Sequence, residues 1–360
     1  MISEKDLLEA REIINRINTG CDYVCFGAGR YFYDFIRNYC LNQKIIKAPK
    51  YVCDNNTDLW GRKIEGIEVV SPEKILSEKV EETIVVMSAV SPFGIMSDLQ
   101  SLRLQCHYYC IIPLSQLETY YYYTEHQDDI RTVYDYLEDE KSRQNYEEFW
   151  RLSLRGVMNY SSIYTPNAYW NNDLIPKLQD DDAVIYAGAF DGKHIERALS
   201  NNENIIFHGF EPNEIMYHKL QEKYAEMDNV FLYPYALNNK KEVLSFDPSV
   251  LLGAMIVRDD NKGGVRVCSK LDKVNSSTID IEISDKIDLI ALDIEGSEIE
   301  ALEGGQETIK KYMPKLGICV YHRLNHYVDV PLLIKRINPE YKLYFRHHSV
   351  VSTESVIYGL

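Results

Sequence analysis

Short, mostly apolar runs separated by amphipathic segments are the main pattern of the carboxyl-terminal half of the chain. Residues 183–187 (AVIYA), 205–210 (IIFHGF) and 287–292 (IDLIAL) are runs of this kind. They are typical of strands that a parallel sheet buries on both faces. Residues 298–312 follow with apolar side chains at helical spacing and two lysines in the last turn. The pattern predicts an α/β domain with a doubly wound sheet.

The amino-terminal half shows the order strand, glycine turn, helix, and strand ending in an acid. A predicted strand over residues 22–26 runs into Gly27 and Gly29, and the next predicted strand ends in Asp54. This is the order of a nucleotide-binding half, in which turn amides hold phosphate and the acid accepts from a ribose. Phe32 replaces the third glycine of the dinucleotide signature. The signal is therefore weak, and a module that serves only as scaffold is an equal alternative.

A charged segment joins the two halves. Residues 125–155 contain no proline or glycine and place aliphatic and aromatic side chains at helical spacing. The aromatic positions favour core packing over a binding face. The sequence therefore predicts a Rossmann-like nucleotide-binding-type module over 1–118, a helical connector over 119–165 and a second Rossmann-like domain over 166–360.

Composition narrows the possible partners. The chain of 360 residues has 55 acidic and 39 basic side chains and a formal charge of −16, so nucleic acid and anionic membrane are poor partners. No apolar run is long enough to span a bilayer, and residues 1–20 are a charged amphipathic segment rather than a signal peptide. The 8 cysteines lack metal-ligand spacing and are expected to be reduced. We expect a cytoplasmic protein, with a homo-oligomer possible.

Acidic side chains stand where predicted parallel strands end, which is the edge at which open α/β sheets bind ligands. Glu211 follows the second strand of the carboxyl-terminal half, and Asp293 and Glu295 follow a later one. His322 ends the strand after that. Helix capping is the competing structural role for both glutamates. An acid after the second strand suits the two hydroxyls of a ribose, so a binding role is favoured for Glu211.

The segment IDLIALDIEGSEIEALEGGQETIKKYMPKLGICVYH (287–322) resembles the matching region of FkbM-type S-adenosylmethionine-dependent methyltransferases. The resemblance extends back to about residue 133 and on to the end of the chain. It implies a class I methyltransferase domain that uses S-adenosylmethionine and releases S-adenosylhomocysteine. The pieces FGAGR, CDNN and IEGIEVVSPEKI make the amino-terminal half similar to Rossmann-like modules attached to sugar-modifying enzymes.

The resemblance implies roles for particular residues. Donor contacts are expected from Tyr186, Gly188, Ala189, Phe190, Asp191, Glu211 and Asp293. Methyl transfer to oxygen also needs a base for the hydroxyl proton, and the candidates are Asp293, Glu295 and His322. The two carboxylates, with either His322 or His326, would suit a divalent metal. Nothing in their spacing establishes such a site, and no metal is predicted.

The first turn departs from the family pattern, which reads Asp-x-Gly-Ala and is often followed by Gly-Asp-Thr. This chain has Tyr186 at the position of the acid, and Lys-His follows Gly192. A phenol cannot offset the ammonium group of the donor as a carboxylate does. Asp191 or Tyr186 itself would have to hold the amino-acid end of the donor.

The resemblance implies O-methylation of a sugar or a small carbohydrate-linked acceptor, such as a sugar nucleotide or a glycan, in surface polysaccharide biosynthesis. Because Tyr186 replaces the acid of the family pattern, one alternative is a catalytically inactive, methyltransferase-like protein that serves a glycan assembly by binding or as a scaffold. A further alternative is a sugar-nucleotide enzyme whose chemistry lies in the amino-terminal module. Against this alternative, that module lacks a Tyr-x-x-x-Lys motif.

Overall fold

The protein is described here by a computed structural model, which covers residues 2–18, 23–29, 32–33, 36–42, 47–78, 84–87, 107–110, 116–156, 159–247, 255–257 and 272–360. The described residues up to Glu125, together with 149–156, form one compact unit, and the others form a second. The predicted boundaries at 118 and 165 stay a prediction. Within the described ranges, no helix is long and apolar enough to cross a membrane.

The amino-terminal unit is built on a mainly parallel sheet. Its strands are β1 Tyr23–Phe26, β2 Val52–Cys53, β3 Lys63–Ile64, β4 Ile67–Val70, β5 Ile84–Met87 and β6 His107–Cys110. They lie in the order β3-β4-β2-β1-β5-β6, and only the β3–β4 pair among them is antiparallel. The helices are α1 Glu4–Asn18 and α2 Gln116–Glu125. After the glycine turn, where the sequence predicts a helix, the described residues Ile36–Asn42 are π-helical.

The carboxyl-terminal unit contains the remaining strands. They are β7 Ala183–Ala187, β8 Ile206–Phe210, β9 Val230–Tyr233, β10 Ala236–Leu237, β11 Val243–Asp247, β12 Met255–Val257, β13 Asp272–Ser277, β14 Leu289–Leu292, β15 Lys315–Cys319, β16 Leu343–His347 and β17 Ser355–Gly359. The main sheet has the order β16-β17-β15-β14-β7-β8-β9, and β10-β13-β11-β12 form a smaller sheet.

Helices of this half of the chain lie between the strands in sequence. They are α3 Gln127–Tyr136, α4 Glu140–Leu154, α5 Lys193–Asn201, α6 Glu214–Lys223, α7 Ile279–Glu282, α8 Glu298–Glu303, α9 Gln306–Tyr312 and α10 His326–Ile337. The predicted α/β fold is confirmed, and β7 and β14 are buried along their whole length. Because β7, β8, β14 and β15 are parallel, their carboxyl ends meet at one edge. Strand β17 runs antiparallel to β15, so β17 begins at that same edge.

Two predicted continuous helices are divided in the structure. Residues 298–312 form α8 and α9, which are separated by Gly304 and Gly305. A side-chain Cβ at Gly304 would lie 2.0 Å from the main-chain oxygen of Asn238, so the chain turns there against a neighbouring segment. The helical pattern of 125–155 is likewise interrupted, because Leu137 forms a β-bridge with Leu343. Both interruptions come from tertiary contacts that helical periodicity does not show.

A buried guanidinium joins β16 to the segments before the main sheet. Arg346 is 1% exposed. Its Nη2 donates to Asp139 Oδ2 at 2.7 Å and to Asp173 Oδ2 at 2.9 Å, and its Nη1 donates to Ser142 Oγ at 2.8 Å. Burial alone would raise the pKa of Asp139, but the hydrogen bond from Arg346 lowers it to about 2. Arg346 therefore stabilises two carboxylates at once.

We expect Arg346→Ala to lower the free energy of unfolding by about 2–3 kcal/mol, because it takes the shared guanidinium away from both carboxylates. This is less than for a fully buried pair, since the Asp139 and Asp173 side chains are 35% and 39% exposed. Denaturant unfolding measures the loss. Arg336→Ala, at an exposed position of α10, is the control and should change stability by no more than about 0.5 kcal/mol. Equal effects of the two substitutions would contradict the role of Arg346.

Candidate active site

The turn after β7 forms a cradle with the acid that follows β8. Gly188 has φ 91°, and a Cβ on it would lie 2.0 Å from the main-chain oxygen of Asp293. Glycine is required there for both reasons. Glu211 Oε2 accepts from the amide of Phe190 at 2.8 Å, and Oε1 accepts from the amide of Asn213 at 2.8 Å. One carboxylate oxygen of Glu211 is thus held by the turn after β7, and the other is held by the segment that follows β8.

Glu211 remains able to accept further hydrogen bonds. Its side chain is buried, and burial raises its pKa while the two amide hydrogen bonds lower it. A carboxylate offers about four lone-pair positions, of which the two amides use one on each oxygen. The arrangement can therefore take the two hydroxyls of a ribose, as the sequence predicts.

Asp293 lies at the centre of the edge and accepts from two phenols. Its Oδ2 accepts from Tyr169 Oη at 3.0 Å, and its Oδ1 accepts from Tyr321 Oη at 3.2 Å. The same Oδ1 is 3.4 Å from His322 Nε2. Because its main-chain oxygen touches Gly188, Asp293 joins the cradle to the acidic side chains of the neighbouring strands.

His322 lies between carboxylates. Its Nδ1 is 2.9 Å from Glu298 Oε1, and its Nε2 is 3.5 Å from Glu295 Oε2. Burial alone would lower the pKa of His322, but the charge and hydrogen bond of Glu298, followed by Asp293, raise it to about 9. A pKa above neutral favours the imidazolium form of His322 at pH 7, which argues against its predicted role as the base.

Glu298 fixes this histidine. The side chain is 0% exposed, and its Oε1 also accepts from the amides of Ile294 at 3.1 Å and Gly296 at 3.3 Å. Its Oε2 is 3.0 Å from His326 Nδ1. Burial alone would raise the pKa of Glu298, but His322 holds it well below its ordinary range. The sequence marks this residue only as the start of a helix.

The backbone between Asp293 and Glu298 is strained where it turns. Glu295 has φ 56°, a left-handed conformation that costs a non-glycine residue about 1–3 kcal/mol. Gly296 has φ 95°, and a Cβ there would lie 2.7 Å from Arg323 Nε. This turn places the Glu295 carboxylate on one side of His322 and aims two amides at Glu298.

Glu354 is a functional candidate that the sequence reasoning did not single out. It precedes β17 directly and has φ 67°. Burial raises the pKa of Glu354, and the charge of Asp293 adds to this, bringing it to about 7. No local motif marks the residue, because it reaches the site through the antiparallel insertion of β17. A carboxyl group that titrates near neutral pH suits proton transfer.

Tyr186 belongs to a buried aromatic cluster. It is 1% exposed, and its ring stacks on His194 with centroids 4.5 Å apart and an angle of 15° between the planes. Tyr169 and Trp170 contact it edge-on at 5.4 Å and 6.0 Å. Burial raises the pKa of the Tyr186 phenol well above its ordinary value. Tyr186 thus fills the core beside the cradle with aromatic surface where the family pattern has an acid.

The other predicted site residues are placed as follows. Ala189 is buried, and Asp191 Oδ2 forms an ion pair with Lys193 Nζ at 2.7 Å. Gly27, Gly29 and Asp54 lie in the amino-terminal unit. Among the residues that the structure describes, no group of three or more histidine, cysteine, aspartate or glutamate side chains is arranged to hold a metal ion.

The chain is similar to one protein family and to solved structures of methyltransferases. Residues 187–342 match the family model for the methyltransferase FkbM domain. The crystal structure of methyltransferase FkbM from Methylobacillus flagellatus KT is similar at 17% identity and a TM-score of 0.70, over 98% of this chain and 93% of that one. Fibrillarin from Aeropyrum pernix, with natively bound S-adenosyl-L-methionine, aligns at 8% identity and a TM-score of 0.32, over 51% and 67% of the chains. No curated protein matches the chain.

We expect Glu298→Gln to lower the pKa of His322 towards its ordinary value. In the parent, the raised pKa of His322 stabilises the fold fully below about pH 6.5, and this contribution, on the order of 3 kcal/mol, is lost as the pH rises through about 9. In the Glu298→Gln variant, the free energy of unfolding should therefore fall less between pH 6 and pH 9 than it does in the parent. Imidazole chemical shifts and denaturant unfolding at pH 6 and pH 9 measure both effects, with exposed Glu307→Gln as the control. An unchanged pKa of His322 in a folded Glu298→Gln protein would contradict the assignment.

Proposed function

We propose that this chain, whose residues 187–342 match the family model for the methyltransferase FkbM domain, is an S-adenosylmethionine-dependent O-methyltransferase. Its acceptor is a hydroxyl group of a sugar or of a carbohydrate-linked compound. Biosynthesis of a surface polysaccharide is the setting that best suits such an acceptor.

The contact between Gly188 and Asp293 carries the proposal. It places the end of the donor cradle against the main chain of Asp293, the residue whose carboxylate two phenols and an imidazolium surround. Methyl transfer requires the acceptor oxygen to lie close to the methyl group and in line with the carbon–sulfur bond. A cradle for the donor and a cluster of proton-accepting groups at one sheet edge support the proposal.

The cradle fits the donor. Glu211 accepts from the two ribose hydroxyls, and the glycine turn at Gly188, whose neighbour Phe190 donates to Glu211, lies where the amino-acid end of the donor would bind. The bound donor supplies an electrophilic methyl group on a sulfonium.

The proton of the acceptor hydroxyl passes to a carboxylate. As the oxygen forms its bond to the methyl carbon, the carbon–sulfur bond breaks, its electron pair stays on sulfur, and the proton leaves the oxygen. Glu354, whose pKa is about 7, is the base, and Asp293 orients the hydroxyl. His322 keeps its proton and stabilises the negative charge of these carboxylates.

The lining of the edge supports a polyhydroxyl acceptor. Asp293, Glu295 and Glu354 are hydrogen-bond acceptors, and sugar hydroxyls are donors that can bridge several of them. Tyr321 adds a partly buried aromatic face beside Asp293. The formal charge of −16 favours a neutral or weakly charged glycan over a polyanion.

A catalytically inactive binding or scaffold protein is the second candidate. The observation in its favour is Tyr186, which puts a buried phenol where the family pattern has an acid for the ammonium of the donor. Such a protein would bind the donor weakly or not at all. Calorimetric titration of the full chain with S-adenosylhomocysteine separates the two functions, because absent binding would leave the second candidate.

We expect Glu211→Ala to weaken binding of S-adenosylhomocysteine by about 1.5–3 kcal/mol, the value of hydrogen bonds to a charged group. Calorimetry on the full chain measures the affinity. Glu214→Ala is the matched control, since Glu214 is an exposed acid in the first turn of α6. Unchanged affinity in a folded Glu211→Ala protein would remove Glu211 from the donor site.

We expect the chain to transfer a radiolabelled methyl group from S-adenosylmethionine to a member of a panel of monosaccharides, oligosaccharides and sugar nucleotides. The rate should rise with pH through about 7, where Glu354 loses its proton. Glu354→Gln should slow transfer by about 10²–10⁴-fold and flatten that rise. Exposed Glu340→Gln is the control. Donor binding without labelled product across the whole panel would favour the second candidate instead.

A further inference from the structure

We propose that the amino-terminal unit holds a second nucleoside site, which binds the ribose of a ribonucleoside on Asp54 and its base on Trp60. The proposal commits to the ribonucleoside part of the ligand, which a free nucleoside and a nucleotide share. The proposed site does not depend on methyl transfer, and its residues all lie within one unit of the chain.

The turn after β1 forms a cradle with the acid after β2. Gly27 has φ 101°, and its amide donates to the main-chain oxygen of Cys53 at 2.8 Å. Asp54 Oδ2 accepts from the amide of Ala28 at 2.7 Å, and Oδ1 accepts from the amide of Asn56 at 2.8 Å. The Asp54 carboxylate is therefore hydrogen-bonded both to the glycine turn after β1 and to the segment that follows β2.

The carboxyl-terminal unit contains the same set of bonds. Gly188 has φ 91°, and its amide donates to the main-chain oxygen of Phe210 at 3.1 Å. One oxygen of Glu211 accepts from Phe190 in the turn, and the other accepts from Asn213 two residues further on, both at 2.8 Å. The ribose role of this second cradle rests on the proposed function, whereas the correspondence of the hydrogen bonds does not.

The correspondence continues beyond the acid. In each unit an asparagine stands two residues after it and caps the next helical turn. Asn56 Oδ1 accepts from the amide of Asp58 at 3.0 Å, and Asn213 Oδ1 accepts from the amide of Met216 at 3.1 Å. Turn, acid and cap thus recur together at the same place in two parallel sheets, which is the place where open α/β sheets bind ligands.

Trp60 is the observation that points to a ligand. This indole is 41% exposed, although its N–H donates to the main-chain oxygen of Asp54 at 2.7 Å. The hydrogen bond holds a large exposed aromatic face beside the acid. Aromatic side chains on which bases stack are a common element of nucleic-acid and nucleotide recognition. Ribose hydroxyls on Asp54 and a base on Trp60 use both features of this surface.

The experiment uses the full chain with its donor site filled by excess S-adenosylhomocysteine. We expect adenosine diphosphate or uridine diphosphate to change tryptophan fluorescence saturably, because Trp60 is exposed while Trp150 and Trp170 are 1% and 0% exposed. Trp60→Phe should abolish the fluorescence change. The 2′,3′-dideoxy form of the same nucleotide should bind at least about 10-fold more weakly, since it lacks the hydroxyls for Asp54.

Two acidic variants separate this site from the donor site. Asp54→Ala should weaken nucleotide binding at least about 10-fold in calorimetry and leave S-adenosylhomocysteine unaffected, whereas Glu211→Ala should do the reverse. The dideoxy comparison decides the matter if Asp54→Ala does not fold. Absence of nucleotide binding, or equal affinity for the ribo and dideoxy forms, would overturn the second site while leaving the proposed function intact. Nucleotide binding without any S-adenosylhomocysteine binding would overturn the proposed function alone.

Discussion

The contact of Gly188 with Asp293 is the constraint on which the carboxyl-terminal site depends. The main-chain oxygen of Asp293 occupies the place that a Cβ of residue 188 would take, so the ends of β7 and β14 approach as closely as backbones can. Any larger residue at 188 would push the two strand ends apart. The same contact brings the glycine turn beside the Asp293 carboxylate, which explains why binding and acid–base groups share one small region.

Buried charge determines how that region can act. Glu298 is fully buried and accepts from two amides as well as from His322, so it remains ionised in the interior. An ionised Glu298 keeps His322 protonated, and the imidazolium in turn offsets the charge of Asp293 and Glu295. Without this cation, several carboxylates at one sheet edge would repel one another. Glu354, at the margin of the group, is left as the carboxyl whose pKa lies near neutral.

The sequence predicts the α/β fold and the acids at the strand ends, because apolar runs and the residues that follow them are local features. It predicts Glu211 and Asp293 for this reason. The roles of Glu298 and Glu354 are not visible in the local sequence, since Glu298 depends on one histidine from the segment after β15 and one from α10, and Glu354 depends on a strand inserted antiparallel. The break at Gly304 is not visible there either, because the cause is contact with Asn238, distant in sequence.

The two cradles differ in a way that side-chain length explains. In the amino-terminal unit, the amide that reaches the acid belongs to the second residue after the strand, Ala28, and the acid is the shorter Asp54. In the carboxyl-terminal unit, that amide belongs to the third residue, Phe190, and the acid is the longer Glu211. One more residue in the turn is thus matched by one more methylene in the acid. Because turn and side chain change together, both cradles keep the carboxylate bound by two amides, one on each oxygen.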